Sequence, residues 1–293
     1  MYVATWKEEC LQRSSFYDNG YMWFYIHSVM QTDRFEEVYD IEVEDCHSFV
    51  VENCIAHNCQ GFSLAGPRKI DDSRNILYKY FLEIVKEKQP KMFVSENVKG
   101  LLTLDDGKIM EAIVEQFTSI GYNVYYTLLN TKDFEVPQDR ERVVIVGFRK
   151  DLGITSFTFP EGSSKVVTFG DCLKDLDEPT PDEICTESFS SRYMSRNRKR
   201  KYNEFSFTIP AMAKQVPLHP SSPDMKKLGP DKWEFGTGGV TRRLSYKEAA
   251  AVQTFPEDLI FEGNLTSKYK QIGNAVPVRF AQLIAKHLHT YLK

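Results

Sequence analysis

Hydrophobic positions recur three or four residues apart from residue 76 onward, and this spacing predicts an amphipathic helix that ends before Pro90. The seven residues MFVSENV at 92–98 are a strand candidate. Helical spacing returns over residues 109–117 and stops at Gly121. The positions predicted to be buried in these two helices are Ile76, Leu77, Tyr80, Phe81, Ile84 and Val85, then Ile109, Met110, Ile113, Val114 and Phe117.

Two further strands are predicted at 122–130 and 142–148. The β-branched run at 143–146 suits a strand that is buried on both faces. Strands that alternate with helices indicate an α/β domain. This part of the chain is therefore predicted to have an α/β fold.

The pattern differs on both sides of this domain. At 38–45 apolar and acidic residues alternate, which predicts β structure. Between about 150 and 240 the periodicity dissolves into Pro, Ser, Gly and basic residues, which is typical of a small β-rich domain or a binding surface. Regular structure then returns with a capping box at Ser245 and Glu248 and a last helix that begins near Pro277.

Charge divides the chain into an acidic and a basic part. The net charge is −4, yet residues 1–58 hold 11 acidic and three basic side chains, so the remainder is net positive. This asymmetry suggests that the later part has a polyanionic partner. Residues 192–201 hold six positive charges and no negative one, although such a run alone is usually a solvated face.

Composition excludes several classes of protein. No stretch approaches the roughly 20 apolar residues that span a bilayer. The first residues have neither a basic start nor an apolar signal region, so we expect a cytoplasmic protein. The six cysteines form no C-x-x-C pair, which argues against a zinc site or a disulfide framework. No metal site is predicted, and the thiols are expected to be free.

Four short motifs follow one another in a distinctive order. They are CQGFSLAGPR from Cys59, SENV at 95–98, QDRER at 138–142 and QIGNAVP at 271–277. Each motif alone is explained by surface or loop positions, and a lone cysteine is more often a small buried hydrophobe. The other five cysteines are interpreted in that way. The joint order of the four motifs is specific.

This ordered series resembles the cytosine-5 DNA methyltransferase family over residues 59–148 and 241–293. The resemblance implies that Cys59 attacks carbon 6 of a cytosine flipped out of the duplex, which activates carbon 5 toward the methyl group of S-adenosylmethionine. Glu96 would act at ring nitrogen 3, and Asn97 would help to hold the end of that strand.

The resemblance also implies roles for two arginines and an asparagine. Arg142 would lie near the exocyclic oxygen of the base and the thiolate, and Arg140 would support the site, because fixed positive charge stabilises both anions. Asn274 would lie beside the cofactor in the turn before the last helix.

In this family a variable segment before an Arg-Arg-Leu sequence reads the DNA, and here that segment is 151–240. Within it, residues 191–225 resemble the recognition region of methyltransferases that modify GGCC-type sites. A partner is therefore expected to be duplex DNA. The candidate DNA contacts, which could involve phosphates or guanine edges, are Gln60, Ser63, Arg196, Arg198, Lys199, Arg200 and Arg242.

Residues 1–58 depart from the family pattern. They contain no G-x-G sequence for a cofactor turn, and Ala56, His57 and Asn58 stand where a Pro-Pro pair is expected before Cys59. The sequence VYDIEVEDCHSFVVENCIAHN at 38–58 is instead similar to the C-terminal end of inteins.

The intein resemblance implies a splicing chemistry at the junction. Cys59 would first accept the upstream chain as a thioester, and the Asn58 side-chain amide would then cleave the following peptide bond. His57 would polarise the Asn58 carbonyl or protonate the leaving amine, and His47 would assist proton transfer. One cysteine would then serve both reactions.

These interpretations combine into one expected organisation. Residues 1–58 form a β-rich, partial intein (Hint-like) segment, 59–150 the first part of a Rossmann-like S-adenosylmethionine-dependent catalytic domain, 151–240 a small target-recognition domain, and 241–293 the closing part of the catalytic domain. An upstream methyltransferase half with the rest of the intein is the expected partner, most of the cofactor site would lie on it, and the spliced enzyme is expected to be monomeric.

Two alternatives stay open. The chain could be an inactive fragment that only binds DNA, or an intein fragment that cleaves itself without ligation.

Overall fold

The structure, a computed structural model, describes residues 77–189, 199–229 and 232–292, together with the backbone of six short strands before Asn58. These strands form three antiparallel pairs, β1 with β4, β2 with β3, and β5 with β6. They are β1 (Tyr2–Val3), β2 (Ser15–Asp18), β3 (Tyr21–Phe24), β4 (Met30–Gln31), β5 (Ser48–Val51) and β6 (Cys54–His57). The predicted strand at 38–45 lies outside the described residues.

Downstream, strands and helices alternate as the periodicity predicts. The strands are β7 (Met92–Val98), β8 (Tyr122–Asn130), β9 (Gln138–Asp139), β10 (Glu141–Arg149), β11 (Ser206–Phe207), β12 (Lys226–Gly229) and β13 (Lys232–Glu234). The helices are α1 (Leu77–Lys88), α2 (Lys108–Ser119), α3 (Phe169–Leu173), α4 (Tyr246–Val252), α5 (Leu265–Asn274) and α6 (Val278–His289). No described helix is long and apolar enough to cross a membrane.

The central sheet has the order β7-β10-β8, and β10 is antiparallel to both neighbours. Residues 131–140 connect β8 to β10. This short connection contains a 3-10 turn, Thr131–Phe134, and the two residues of β9. A connection this short returns the chain beside the strand it has just left, which makes the pair antiparallel.

Helices cover both faces of this sheet, as expected for an α/β domain. On one face Val143 and Ile145 of β10 pack with α1 and α2. On the other face Val144 and Val146 pack with α6, whose Phe280, Ile284 and Leu288 are buried. The alternating residues of β10 therefore serve two cores, which confirms the prediction of a strand buried on both faces.

A third core joins parts of the chain that the sequence assigns to different units. Phe169, Cys185 and Ile209, from the predicted recognition region, pack with Leu244 and Ile272 of the closing part. The predicted boundary near residue 240 therefore does not separate two hydrophobic cores. Among the described residues, strand structure in this region is confined to β11, β12 and β13, less than a β-rich domain would have.

Several local predictions agree with the structure. The Ser245 hydroxyl accepts a hydrogen bond from the Glu248 amide at 3.1 Å and the Glu248 carboxylate accepts one from the Ser245 amide at 2.8 Å, which completes the capping box of α4. Cys185 is buried. Burial raises the pKa of Cys172 to about 12, so this thiol is unreactive near neutral pH.

The sheet has no room for a side chain at Gly147, which lies opposite Phe93 in the register of β7 and β10. A Cβ atom at Gly147 would lie 2.0 Å from Cε1 of Phe93. The Phe93 ring is fully buried and packs against Phe117 with the ring centres 4.4 Å apart. The ring therefore cannot move aside without disturbing the core.

We predict that Gly147→Ala lowers the free energy of unfolding by roughly 1–3 kcal/mol, the usual effect of overpacking a core. Urea denaturation followed by circular dichroism measures this change. Gly229→Ala is the matched control, since a Cβ there meets nothing within 4 Å, and its effect should stay within about 0.5 kcal/mol. Equal unfolding midpoints for the two variants would contradict the proposed packing constraint.

Candidate active site

Glu96 and Arg142 meet at one end of the central sheet. Glu96 lies opposite Val144 in the register of β7 and β10, and Arg142 is two residues before Val144 on the same face. The Arg142 Nε atom lies 2.6 Å from the Glu96 Oε1 atom. The strand register thus brings together the acid and the arginine that the sequence predicts as catalytic partners.

This ion pair is largely withdrawn from solvent, with 12% of the Arg142 side chain and 11% of the Glu96 side chain exposed. The Arg142 Nη1 atom also donates a hydrogen bond to the Glu141 carbonyl at 2.8 Å, which fixes the guanidinium. The Glu96 Oε1 atom has no hydrogen-bond partner of good geometry among the described residues. This buried oxygen can therefore form a hydrogen bond with a ligand.

Asn97 follows Glu96 and is buried. Its Oδ1 atom accepts a hydrogen bond from the Val98 amide at 2.9 Å. This bond holds the backbone at the end of β7 and agrees with the supporting role predicted for Asn97.

Arg140, the other predicted arginine, is directed into the protein. Its guanidinium donates to the carbonyls of Ile209, Gly273 and Ala275 at 3.1, 3.2 and 3.3 Å. Burial lowers the Arg140 pKa to about 9, so the side chain keeps its charge at neutral pH. It connects the central sheet, the region before α4 and the end of α5, and its geometry is that of a supporting residue.

Two buried glutamines extend this connection. Gln138 donates to the side chain of Gln253 at 2.8 Å and accepts from the Ile209 amide at 3.0 Å. Gln253 donates to the carbonyls of Ile272 at 2.7 Å and Ala275 at 3.2 Å. Gln253 is not recognisable as a buried residue from the sequence, because a glutamine just after a short amphipathic helix gives no signal of burial.

Gly273 permits the close approach of α5 to the predicted recognition region. A Cβ atom at Gly273 would lie 2.3 Å from the Pro210 carbonyl group and from the Ala211 amide nitrogen, so only glycine fits. Asn274 is the last residue of α5 and is half-buried. Its predicted contact with a cofactor stays a prediction.

The candidate DNA-contact residues that the structure describes make contacts with other residues of the chain. Arg242 makes a two-point ion pair with Glu248 at 2.7 and 2.8 Å. Lys199 donates to the Ser222 carbonyl at 2.6 Å. The Arg200 guanidinium lies 4.2 Å from the centre of the Phe207 ring. These contacts stabilise the region and leave the predicted DNA contacts untested.

The remaining predicted residues lie outside the described residues or only their backbone is described. They are His47, His57, Asn58, Cys59, Gln60, Ser63, Arg196 and Arg198. The backbone of β6, which ends at His57, lies against β7, the strand that bears Glu96.

Comparison with known proteins covers most of the chain. A sequence model of the family described as C-5 cytosine-specific DNA methylase matches residues 54–290. Type II methyltransferase M.BsuRI of Bacillus subtilis is 47% identical over 245 residues, which are 78% of this chain and 56% of that protein. Type II methyltransferase M.MthTI of Methanothermobacter thermautotrophicus is 43% identical over 250 residues, covering 78% of this chain and 76% of that protein.

Type II methyltransferase M.BspRI of Lysinibacillus sphaericus is 45% identical, and the match covers 78% of this chain and 58% of that protein. The chain thus spans little more than half the length of M.BsuRI and of M.BspRI. The solved structure of Entamoeba histolytica methyltransferase EhMeth aligns with a TM-score of 0.57 at 16% identity, covering 82% of this chain and 77% of that chain. This likeness shows a shared fold.

We predict that Arg140→Lys lowers the free energy of unfolding by roughly 2–4 kcal/mol. An ammonium group keeps the charge but cannot present a fork to three carbonyls, and a hydrogen bond to a charged group contributes about 1.5–3 kcal/mol. Urea denaturation measures the loss. Lys132→Gln, a change on the nearby surface, should stay within about 0.5 kcal/mol. An Arg140→Lys protein as stable as this control would show that the three carbonyl contacts contribute little.

Proposed function

Because the chain belongs to the C-5 cytosine-specific DNA methylase family, we propose that it forms the catalytic and target-recognition part of an enzyme that methylates carbon 5 of cytosine in duplex DNA. The observation that supports this most is the withdrawn ion pair of Glu96 and Arg142 at the end of the sheet. The related Type II methyltransferases favour a partner in a restriction-modification system. The target is proposed to be a GGCC-type site.

In the proposed reaction the Cys59 thiolate adds to carbon 6 of a flipped-out cytosine, and negative charge develops toward ring nitrogen 3 and the exocyclic oxygen. Glu96 in its acid form donates a hydrogen bond to nitrogen 3, and Arg142 stabilises the charge near the oxygen. Carbon 5 then accepts the methyl group and loses its proton. Elimination of the Cys59 thiolate restores the aromatic ring.

S-adenosylmethionine supplies the methyl group in this proposal. Of the residues that would hold it, this chain offers Asn274 at the end of α5, while residues 1–58 contain no G-x-G turn. The residues present therefore fit only part of the cofactor. We propose that an upstream methyltransferase half completes the site.

We also propose that residues 1–58 are the C-terminal segment of an intein and that splicing joins the upstream half to Cys59. The His57-Asn58-Cys59 sequence supports this proposal. The backbone register of β5 and β6 also supports it, because Ser48, the neighbour of His47 in sequence, pairs with His57. Both histidines are thereby compatible with proton transfer at one junction.

The methyltransferase proposal is tested by trapping. DNA with 5-fluorocytosine at the target should form a covalent adduct at Cys59 of the enzyme reconstituted with its upstream half, because fluorine at carbon 5 blocks the final elimination. Glu96→Gln should slow adduct formation by about 10²–10⁴-fold, the usual contribution of a general acid. Denaturing gel electrophoresis follows the adduct over time.

Glu111→Gln, a change in the first turn of α2 outside the site, is the control and should react at the wild-type rate. If the reconstituted enzyme formed no adduct but retained DNA binding, the alternative of an inactive DNA-binding fragment would be favoured.

The splicing proposal is tested at Asn58. Asn58→Ala should prevent release of the intein segment, because the side-chain amide that cleaves the following bond is lost, whereas Cys59→Ala should abolish both ligation and methylation. Mass spectrometry after mixing with the upstream half identifies each product. A ligated product of mature length from Asn58→Ala would refute the splicing role, and cleavage without ligation by the wild type would favour the self-cleaving alternative.

A further inference from the structure

The described part of the basic run at 192–201 is held by internal contacts. The Lys199 ammonium lies 2.7 Å from the Asp224 carboxylate and donates to the Ser222 carbonyl at 2.6 Å. Arg200 stacks on Phe207 and lies 3.5 Å from the Glu204 carboxylate. These two side chains brace the backbone around them. The high charge of this run does not by itself identify the surface that faces a polyanion.

The neighbouring hairpin of β12 and β13 presents charge differently. Lys226 and Lys227 are exposed, and no ion pair joins either of them to an acid in the part of the chain that the structure describes. Lys227 pairs with Trp233 across the hairpin, and its Nζ atom lies 5.8 Å from the centre of that ring. Consecutive strand residues point to opposite faces, so the two lysines lie on different faces of the ribbon, Lys226 opposite Glu234 and Lys227 opposite Trp233.

An open recess of about 410 Å³ adjoins the hairpin. Met225 and Trp233 give it apolar walls, and Lys201 adds a third exposed lysine at the rim. Asp224 and Glu204 also line it, and they are paired with Lys199 and Arg200. An apolar surface beside ammonium groups suits a sugar-phosphate chain, whose sugars are partly apolar and whose phosphates are anionic. The hairpin and the recess together form a continuous surface of this kind.

We propose that the hairpin Lys226–Glu234 binds the DNA backbone, with Lys226 and Lys227 in contact with phosphates and the adjacent recess against a sugar. This inference rests on the proposed function and assigns part of its contact with DNA. A lysine ammonium on a flexible side chain pairs with any phosphate, so this backbone binding contributes affinity without sequence selectivity. A two-stranded ribbon also fits the width of the DNA major groove, whose edges are the two phosphate backbones.

The test is a salt titration of DNA binding by the full chain. Fluorescence anisotropy with a GGCC-containing duplex and a scrambled duplex of equal composition gives the slope of log affinity against log salt. Each phosphate contact contributes roughly 0.9 to this slope. The Lys226→Gln/Lys227→Gln double variant should therefore lower the slope by about 1–2 and weaken binding to both duplexes roughly tenfold at 0.1 M salt.

Two control variants define the cause of any change. Lys226→Arg/Lys227→Arg keeps both charges and should keep the slope. Lys86→Gln/Lys88→Gln removes two equally exposed charges from α1 and should bind as the wild type does. Circular dichroism checks that every variant is folded.

An unchanged slope for the glutamine variant would refute the proposed backbone binding by the hairpin. So would a loss confined to the GGCC duplex, which would indicate base recognition, or an absence of DNA binding by the wild-type chain. The proposed chemistry is judged separately, by the 5-fluorocytosine adduct. A lower slope without an adduct would refute only the proposed reaction at Cys59. An adduct with an unchanged slope would refute only the proposed backbone binding by the hairpin.

Discussion

The buried guanidinium of Arg140 is the constraint on which the rest of this structure depends. It donates to three backbone carbonyls that lie 69, 133 and 135 residues away in sequence. Burial of a charge costs free energy unless hydrogen bonds compensate it, and here both Nη atoms donate to these carbonyls while Nε has no partner among the described residues. The three contacts therefore favour convergence of the three segments at one point. The hydrogen bond between the buried side chains of Gln138 and Gln253 belongs to the same junction.

This junction determines where the candidate catalytic pair can lie. Arg140 precedes β10 by one residue, and Arg142 is the second residue of that strand. Because side chains alternate along an extended chain, an inward Arg140 directs the intervening Glu141 outward and returns Arg142 to the site face. The motif therefore separates its two arginines by function. One binds the carbonyls of distant segments, and the other meets Glu96 at the end of the neighbouring strand.

Much of this architecture could be predicted from the sequence because it depends on local pattern. The helices, the doubly buried strand β10 and the capping box at Ser245 follow from periodicity and from residues three positions apart. The alternation in the 138–142 motif does not reveal which arginine faces inward. That direction depends on where Gly273 and Ile209 lie, which are contacts across long sequence separations. The internal partners of Arg242 and Lys199, which are Glu248 and Ser222, are likewise seen only in the folded chain.

The position of Cys59 in the chain bears on how splicing and methylation could both use this residue. In the proposed splicing step the bond that changes is on the amino side of Cys59, whereas Glu96, Arg142 and the Arg140 junction all belong to the chain that follows it. The contacts of these residues that the structure describes are made within residues 96–275. In this proposal, splicing changes only the upstream neighbour of Cys59 and leaves the sequence that carries the acid, the arginine and their support unchanged. The chain that splicing adds would hold the cofactor.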